Sequence, residues 1–194
     1  MIPRRLQYAI LALVLAIFAM GGYLVHLKSK AELIATPPSS GLSAPVTGPA
    51  EQLVLYLAND GDGTLHSESI FQALPSDPGE RGRLAVHTLI VRYLQKNSAH
   101  PLGAGADVHE VYLLDPASAV VNLNAAFADG HRSGIEVEQL SVYSVVLTLK
   151  AQFPQLSRVR FLVEGKSRET LAGHVDLSPW YDVTMVSEAA GGLK

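Results

Sequence analysis

Cysteine is missing from all 194 residues. That absence removes disulfides, thiolate metal sites, a cysteine nucleophile and a lipidated cysteine together. An excess of positive charge is missing too. Fifteen Lys and Arg stand against 18 Asp and Glu, for a formal net charge of -3. With no Lys/Arg cluster either, no nucleic-acid surface is expected. Neither H-E-x-x-H nor G-x-G-x-x-G occurs, and no G-x-S-x-G elbow offers a nucleophilic serine. The commonest zinc, dinucleotide and hydrolase signatures are therefore absent. At this length there is room for one ordinary domain plus appendages.

What is present begins with an apolar run. Leu6 to Leu27, "LQYAILALVLAIFAMGGYLVHL", carries no formal charge. As a helix of about 22 residues it spans roughly 33 Å, matching a bilayer core of about 30 Å. Arg4 and Arg5 precede it, and Lys28 and Lys30 follow. A stub of residues 1–5 this short stays cytoplasmic and sends the remainder outward. A cleaved signal peptide is the rival, with Ala19 and Gly21 at small-residue cleavage positions. The run continues past them to Leu27, so a retained transmembrane helix over 6–27 is expected. Residues 28–50, rich in Pro, Ser, Ala and Gly without periodicity, read as a flexible linker with an end-to-end distance of about 25 Å.

The domain is expected over residues 51–180, with a C-terminal tail over 181–194. "EQLVLYLAND" is apolar on both faces and reads as an interior strand. "NDGDG" is turn chemistry rather than a calcium loop, lacking the further ligands, and "TLHSESIFQAL" reads as the returning strand. Asp77, Pro78 and Glu80 mark a helix start. Val86, Leu89, Ile90, Tyr93 and Leu94 form that helix's apolar stripe, with His87 beside it. "VHEVYLLDPASAVVNLN" reads as two strands around the turn Asp115–Ser118. From 133 to 154, strict alternation fails at Val145-Val146-Leu147, whereas helical rows of apolar residues fit. Glu136 and Glu138 sit in the first turn, Lys150 near the end and Pro154 stops the helix. Ser141, Ser144 and Thr148 fall on the opposite, outer side. "RVRFLV" is a strand and "EGK" turns the chain back into another. The resulting expectation is an α+β two-layer sandwich: a small mixed β-sheet with two helices packed on one face.

Residues suited to chemistry are scattered. His174, Asp176 and Ser178 in "GHVDLSPW" supply triad residue types, but on a strand they share one face without an oxyanion-hole turn. Asp107, His109 and Glu110 are too few for zinc. No catalytic residue, metal or cofactor is expected. Partner binding has two candidate surfaces. One is the hydroxyl stripe of Ser141, Ser144 and Thr148. The other is "SPWYDVTM", where Trp180, Tyr181 and Met185 are residue types common in contacts.

The ordered set "VVNLNAAFADG", "VVLTL", "FPQLSRVRFLVEG" and "GHVDLS" resembles the GerMN domain of sporulation and spore-germination proteins. The resemblance covers about residues 51–180 and is strongest from Val120 onward. It implies an extracytoplasmic α/β module similar to ring-building motifs, working by protein–protein assembly. The chain departs from the pattern by having one copy, an apolar anchor in place of a lipidated cysteine, and "VNLN" at Val121–Asn124.

The expectation is thus a single-pass protein of the cytoplasmic membrane with its domain outside the cell. That domain would bind envelope protein partners, with self-association included, and neither nucleic acid nor a small-molecule ligand is expected. The alternative is a wall-associated enzyme or glycan-binding protein using His174 and Asp176. A bulky charged residue at Ser144 is expected to weaken partner recovery in crosslinking without unfolding the domain.

Overall fold

The computed structural model describes residues 48–192, so the Leu6–Leu27 span and the linker up to residue 47 lie outside the described residues. Among the described residues no helix is long and apolar enough to cross a membrane. The fold is mixed α+β, with four helices and two sheets among those residues.

A hairpin opens the domain. β1 (Ala50–Asn59) pairs antiparallel with β2 (Thr64–Ala73) in unbroken register from Ala50↔Ala73 to Asn59↔Thr64. Asn59 Oδ1 accepts from the Gly61 N–H at 2.9 Å, and Gly63 adopts φ 68° to close the turn. Helix α1 (Pro78–Tyr93) follows, its N-cap Asp77 accepting from the Glu80 N–H at 2.9 Å, as the Asp-Pro start predicts. β3 (Val108–Asp115) and β4 (Ser118–Leu123) form a second antiparallel pair. The short helix α2 (Ala125–Asp129) and the long helix α3 (Ile135–Gln152) then carry the chain over to β5 (Arg158–Val163), which runs parallel to β4. A crossover of this kind is what parallel neighbours require. β6 (Tyr181–Asp182) closes the sheet in the order β3-β4-β5-β6, and α4 (Val183–Gly192) ends the described chain.

The short helix α2 was not expected, and three further features differ from the sequence expectation. First, the hairpin is a separate two-stranded sheet rather than part of one mixed sheet, and β1 is not an interior strand. The side of β1 away from β2 meets side-chain oxygens. The Tyr56 N–H donates to Thr148 Oγ1 at 3.0 Å and the Ala58 N–H to Tyr93 Oη at 2.9 Å. The Tyr93 hydroxyl donates onward to the Tyr56 carbonyl at 3.3 Å. Helix hydroxyls thus stand where a third strand would have been. Second, "EGK" turns as expected, with Glu164 and Gly165 both at positive φ, but no full strand returns, and only isolated bridges follow at Val163↔Lys166 and Thr170↔Asp176. Third, residues 181–192 are no tail. They form β6 and α4, with Val183 and Val186 buried.

Helix α3 is the centre of the core. Leu140, Val145, Val146 and Leu149 are 0–1% exposed, and so are Glu138, Ser141, Ser144 and Thr148. A helix apolar on most sides is one covered on most sides. The outer, solvated face expected for Ser141, Ser144 and Thr148 does not exist. Small hydroxyls can be enclosed at modest cost when bonded, and these are, to the hairpin, to two histidines and, for Ser144 Oγ, to the Ser141 carbonyl at 2.9 Å. A charged residue at Ser144 is now expected to disrupt the core itself.

Thr148→Val keeps shape while removing the acceptor for Tyr56. It should destabilise the domain by about 1–3 kcal/mol, the cost of an orphaned buried N–H. Urea unfolding reads the loss, with faster hydrogen exchange at the Tyr56 amide; an unchanged midpoint would refute the docking role given to the hydroxyl.

Candidate functional site

Two polar assemblies gather around α3. At its N-terminal turn Glu138 is 0% exposed yet charged, because five donors surround its carboxylate. Oε2 accepts the N–H groups of Ala172, His174 and Val175 at 3.1, 3.1 and 2.8 Å. Oε1 takes the Gly134 N–H at 3.1 Å and lies 2.9 Å from His174 Nδ1. Burial alone would raise its pKa. The Val175 amide, the His174 ring and the other amides outweigh that and hold it down, from an ordinary 4.5 to about 2. These contacts also explain the missing return strand, since the amides of Ala172, His174 and Val175 aim at a carboxylate rather than at a neighbouring strand.

One turn further along α3, Ser141 Oγ lies 2.6 Å from His100 Nε2 and 2.6 Å from His131 Nε2. His100 Nδ1 is 2.5 Å from Asp60 Oδ1, and Arg132 Nη1 donates to Asp60 Oδ2 at 2.7 Å. The loops carrying the two histidines touch at Gly103 and Gly130. A Cβ on Gly103 would stand 2.7 Å from the Gly130 carbonyl oxygen, so the approach requires glycine there. Asp60, His100 and Ser141 have triad chemistry, but the imidazole and hydroxyl are each 1% exposed. No substrate atom can reach that hydroxyl without the core opening.

The residues weighed in the sequence fall elsewhere. His174 is bound to Glu138 and, at 3.2 Å, to Ser133 Oγ. Asp176 caps the Ser178 N–H at 2.7 Å, so the structure does not assemble His174, Asp176 and Ser178 into a relay. Asp107 pairs with His87 at 2.7 Å and His109 with Glu164 at 3.2 Å. Among the described residues no group of three or more His, Asp or Glu could hold a metal. In the "VNLN" stretch, Asn122 accepts the Gly165 N–H and Asn124 caps α2 through the Phe127 N–H. Tyr181 packs edge-on against Phe161 and its hydroxyl donates to the Asp176 carbonyl. Trp180 is half-buried, with the Arg158 guanidinium 4.7 Å from its ring centroid. A cleft of about 470 Å³ opens between the start of α1, the β3–β4 turn and the end of α3, lined by Pro78, Leu113, Pro116, Phe153 and Pro154. The Glu138 cradle and the His100–Ser141–His131 bridge were both missed from sequence. The one available signal was that residues 138, 141, 144 and 148 lie on a single helical stripe.

The family model Germane, described as sporulation and spore germination, matches residues 54–169. The chain belongs to the Germane family. No curated protein matches. Among solved structures, the tandem GerMN domains of the sporulation protein GerM from Bacillus subtilis are similar at TM-score 0.51 and 19% identity, covering 69% of this chain and 46% of that one. The chain therefore spans about half of that tandem protein. The first GerMN domain of the same protein gives TM-score 0.43 at 20% identity, over 66% of this chain and 92% of that one. A candidate lipoprotein of Clostridium perfringens gives 0.48 at 19%, over 77% and 97%. At such identities the likeness concerns the fold of the Germane domain alone.

The Germane domain's stability should fall as acid titrates Glu138. A carboxyl lowered on folding stabilises above its ordinary value, so the contribution is complete above about pH 5. It is lost as pH drops from 4.5 toward 2, by about 3 kcal/mol. Glu138→Gln should remove most of this acid dependence along with several kcal/mol of stability. Thermal melts at pH 3 and 6 measure both, and a variant with the wild-type acid slope would contradict the assignment.

Proposed function

We propose that the chain is a membrane-anchored module of the bacterial cell envelope whose Germane domain docks onto other proteins and makes or breaks no bonds. In this reading the Leu6–Leu27 segment spans the cytoplasmic membrane once, residues 28–50 form a tether, and the domain works outside the cell. Its family points to sporulation or germination as the setting.

The observation that carries the reading is where the reactive side chains are used. The hydroxyl, imidazole and carboxylate groups best suited to acid–base chemistry are spent inside, on holding loops to α3. The surface presents contact chemistry instead. Trp180 with Arg158 stacked on it is a pairing typical of interface anchors. Met185, 70% exposed, follows in the first turn of α4, and Leu114 on β3 is 62% exposed. Tyr181 contributes by holding the backbone under Trp180 rather than by offering a free ring.

Crosslinking of the full-length chain in its native envelope tests the reading. Trp180→Ala should cut recovery of the crosslinked partner by at least about tenfold, as loss of an interface anchor does, with the circular dichroism spectrum unchanged. His174→Ala and Asp176→Ala should leave muropeptide binding and turnover at background. Undiminished recovery together with measurable muropeptide turnover would favour a wall-acting enzyme instead.

A further inference from the structure

The bridge between His100, Ser141 and His131 poses a question of proton number. His131 Nδ1 lies 2.7 Å from the Arg132 carbonyl oxygen, which can only accept, so that nitrogen carries a hydrogen. His100 Nδ1 faces the Asp60 carboxylate at 2.5 Å, which as an ion also only accepts, so that nitrogen carries one too. A neutral imidazole has one N–H. Two neutral rings therefore turn two bare Nε2 lone pairs toward Ser141 Oγ, each at 2.6 Å, and the hydroxyl has one proton to share between them. One short contact would then be lone pair against lone pair, sealed from water, because His100 and Ser141 are each 1% exposed and His131 is 8%.

A single added proton resolves the conflict. One ring becomes an imidazolium and donates from Nε2 to Oγ, while the hydroxyl donates to Nε2 of the other ring. Every polar atom in the chain from Asp60 to the Arg132 carbonyl is then paired. We propose that His100, Ser141 and His131 form a buried proton-binding site that holds one proton beyond two neutral rings in the folded domain at neutral pH. His100 is the better seat for the charge, since the Asp60 carboxylate lies against it.

The surroundings decide how firmly the proton is held. Burial is the largest influence and, with the Arg132 charge and, at His100, the neighbouring His131 ring, it holds each imidazole taken by itself below the ordinary histidine value of 6.5. Asp60 opposes this at both rings, and Glu138 on α3 opposes it at His131. From α1, Tyr93 sets its ring edge-on at 4.7 Å to His100 and stays neutral, its own pKa pushed up to about 12 by burial. From α2, Phe127 brings only an apolar ring at 6.0 Å to His131. Arg132 is 54% exposed, so water screens its repulsion, whereas Asp60 is 11% exposed. The added proton is therefore required by the donor count at Ser141 Oγ, against that downward pull, and the enclosed Asp60 favours it more than the wet Arg132 opposes it.

The site joins the β1–β2 turn, the loop before β3, the loop before α3 and α3 itself. Losing its proton loosens all four attachments at once. A proton held more tightly in the folded than in the unfolded chain stabilises fully below the ordinary histidine value of 6.5. That contribution is lost as pH rises through the folded value the proposal assigns to the pair.

Histidine ¹⁵N–¹H correlation spectra of the full-length chain in detergent test this directly. At pH 7.5 one ring should show both nitrogens protonated while the other shows only Nδ1–H. The folding equilibrium constant should grow by up to about tenfold per pH unit lowered across the folded value. Ser141→Ala should return both rings to neutrality at that pH and flatten the slope. If Ser141→Ala does not fold, the wild-type spectrum alone decides. Two neutral rings from pH 6.5 to 7.5 overturn the proposal, and so does a doubly protonated ring that persists in Ser141→Ala.

Discussion

Helix α3 is enclosed on nearly every side, and it carries four polar side chains that cannot reach water. That constraint organises the domain. A buried hydroxyl or carboxylate without a partner costs more than the bond it would have made, so each must recruit a partner from another segment. Glu138 recruits the amides of Ala172, His174 and Val175, Ser141 the two histidines, Thr148 the free side of β1, and Ser144 its own helix. The loops are irregular because their backbones answer to a helix rather than to each other.

The same constraint separates architecture from contact chemistry. Isolated two-stranded hairpins are marginal in water. This one persists because Leu53 and Leu55 are fully buried and because Thr148 and Tyr93 satisfy the outward amides of β1. Residues that might have served a reaction are held by structural duties, and the aromatic and apolar groups left at the surface are suited to contact. An acid-sensitive carboxylate and the hydroxyl that bridges two loop histidines lie one turn apart on the same helix, so both polar assemblies hang on α3.

Much of this was legible in the residues. The Asp77-Pro78 start, the α3 span bounded by Pro154, the tight turn at Asp115–Ser118 and the Glu164-Gly165 reversal are local effects of capping, φ preference and periodicity. The GerMN likeness was legible in the ordered segments after Val120. The candidate surface on Ser141, Ser144 and Thr148 was misplaced because a serine stripe looks the same facing water or facing bonded groups. Periodicity reports which residues share a side, not what lies opposite that side.

By itself the chain determined its composition, its anchor-like apolar run, the two long helices, its turns and its family, because these follow from neighbouring residues and their order. The tertiary structure alone decided that β1 ends on hydroxyls, that residues 181–192 join the domain, and that His100 and His131 meet over Ser141. Those pairings bring together residues up to 92 positions apart. A partner that far along the chain leaves no trace in local propensity, and only the closing of the core around α3 sets it in place.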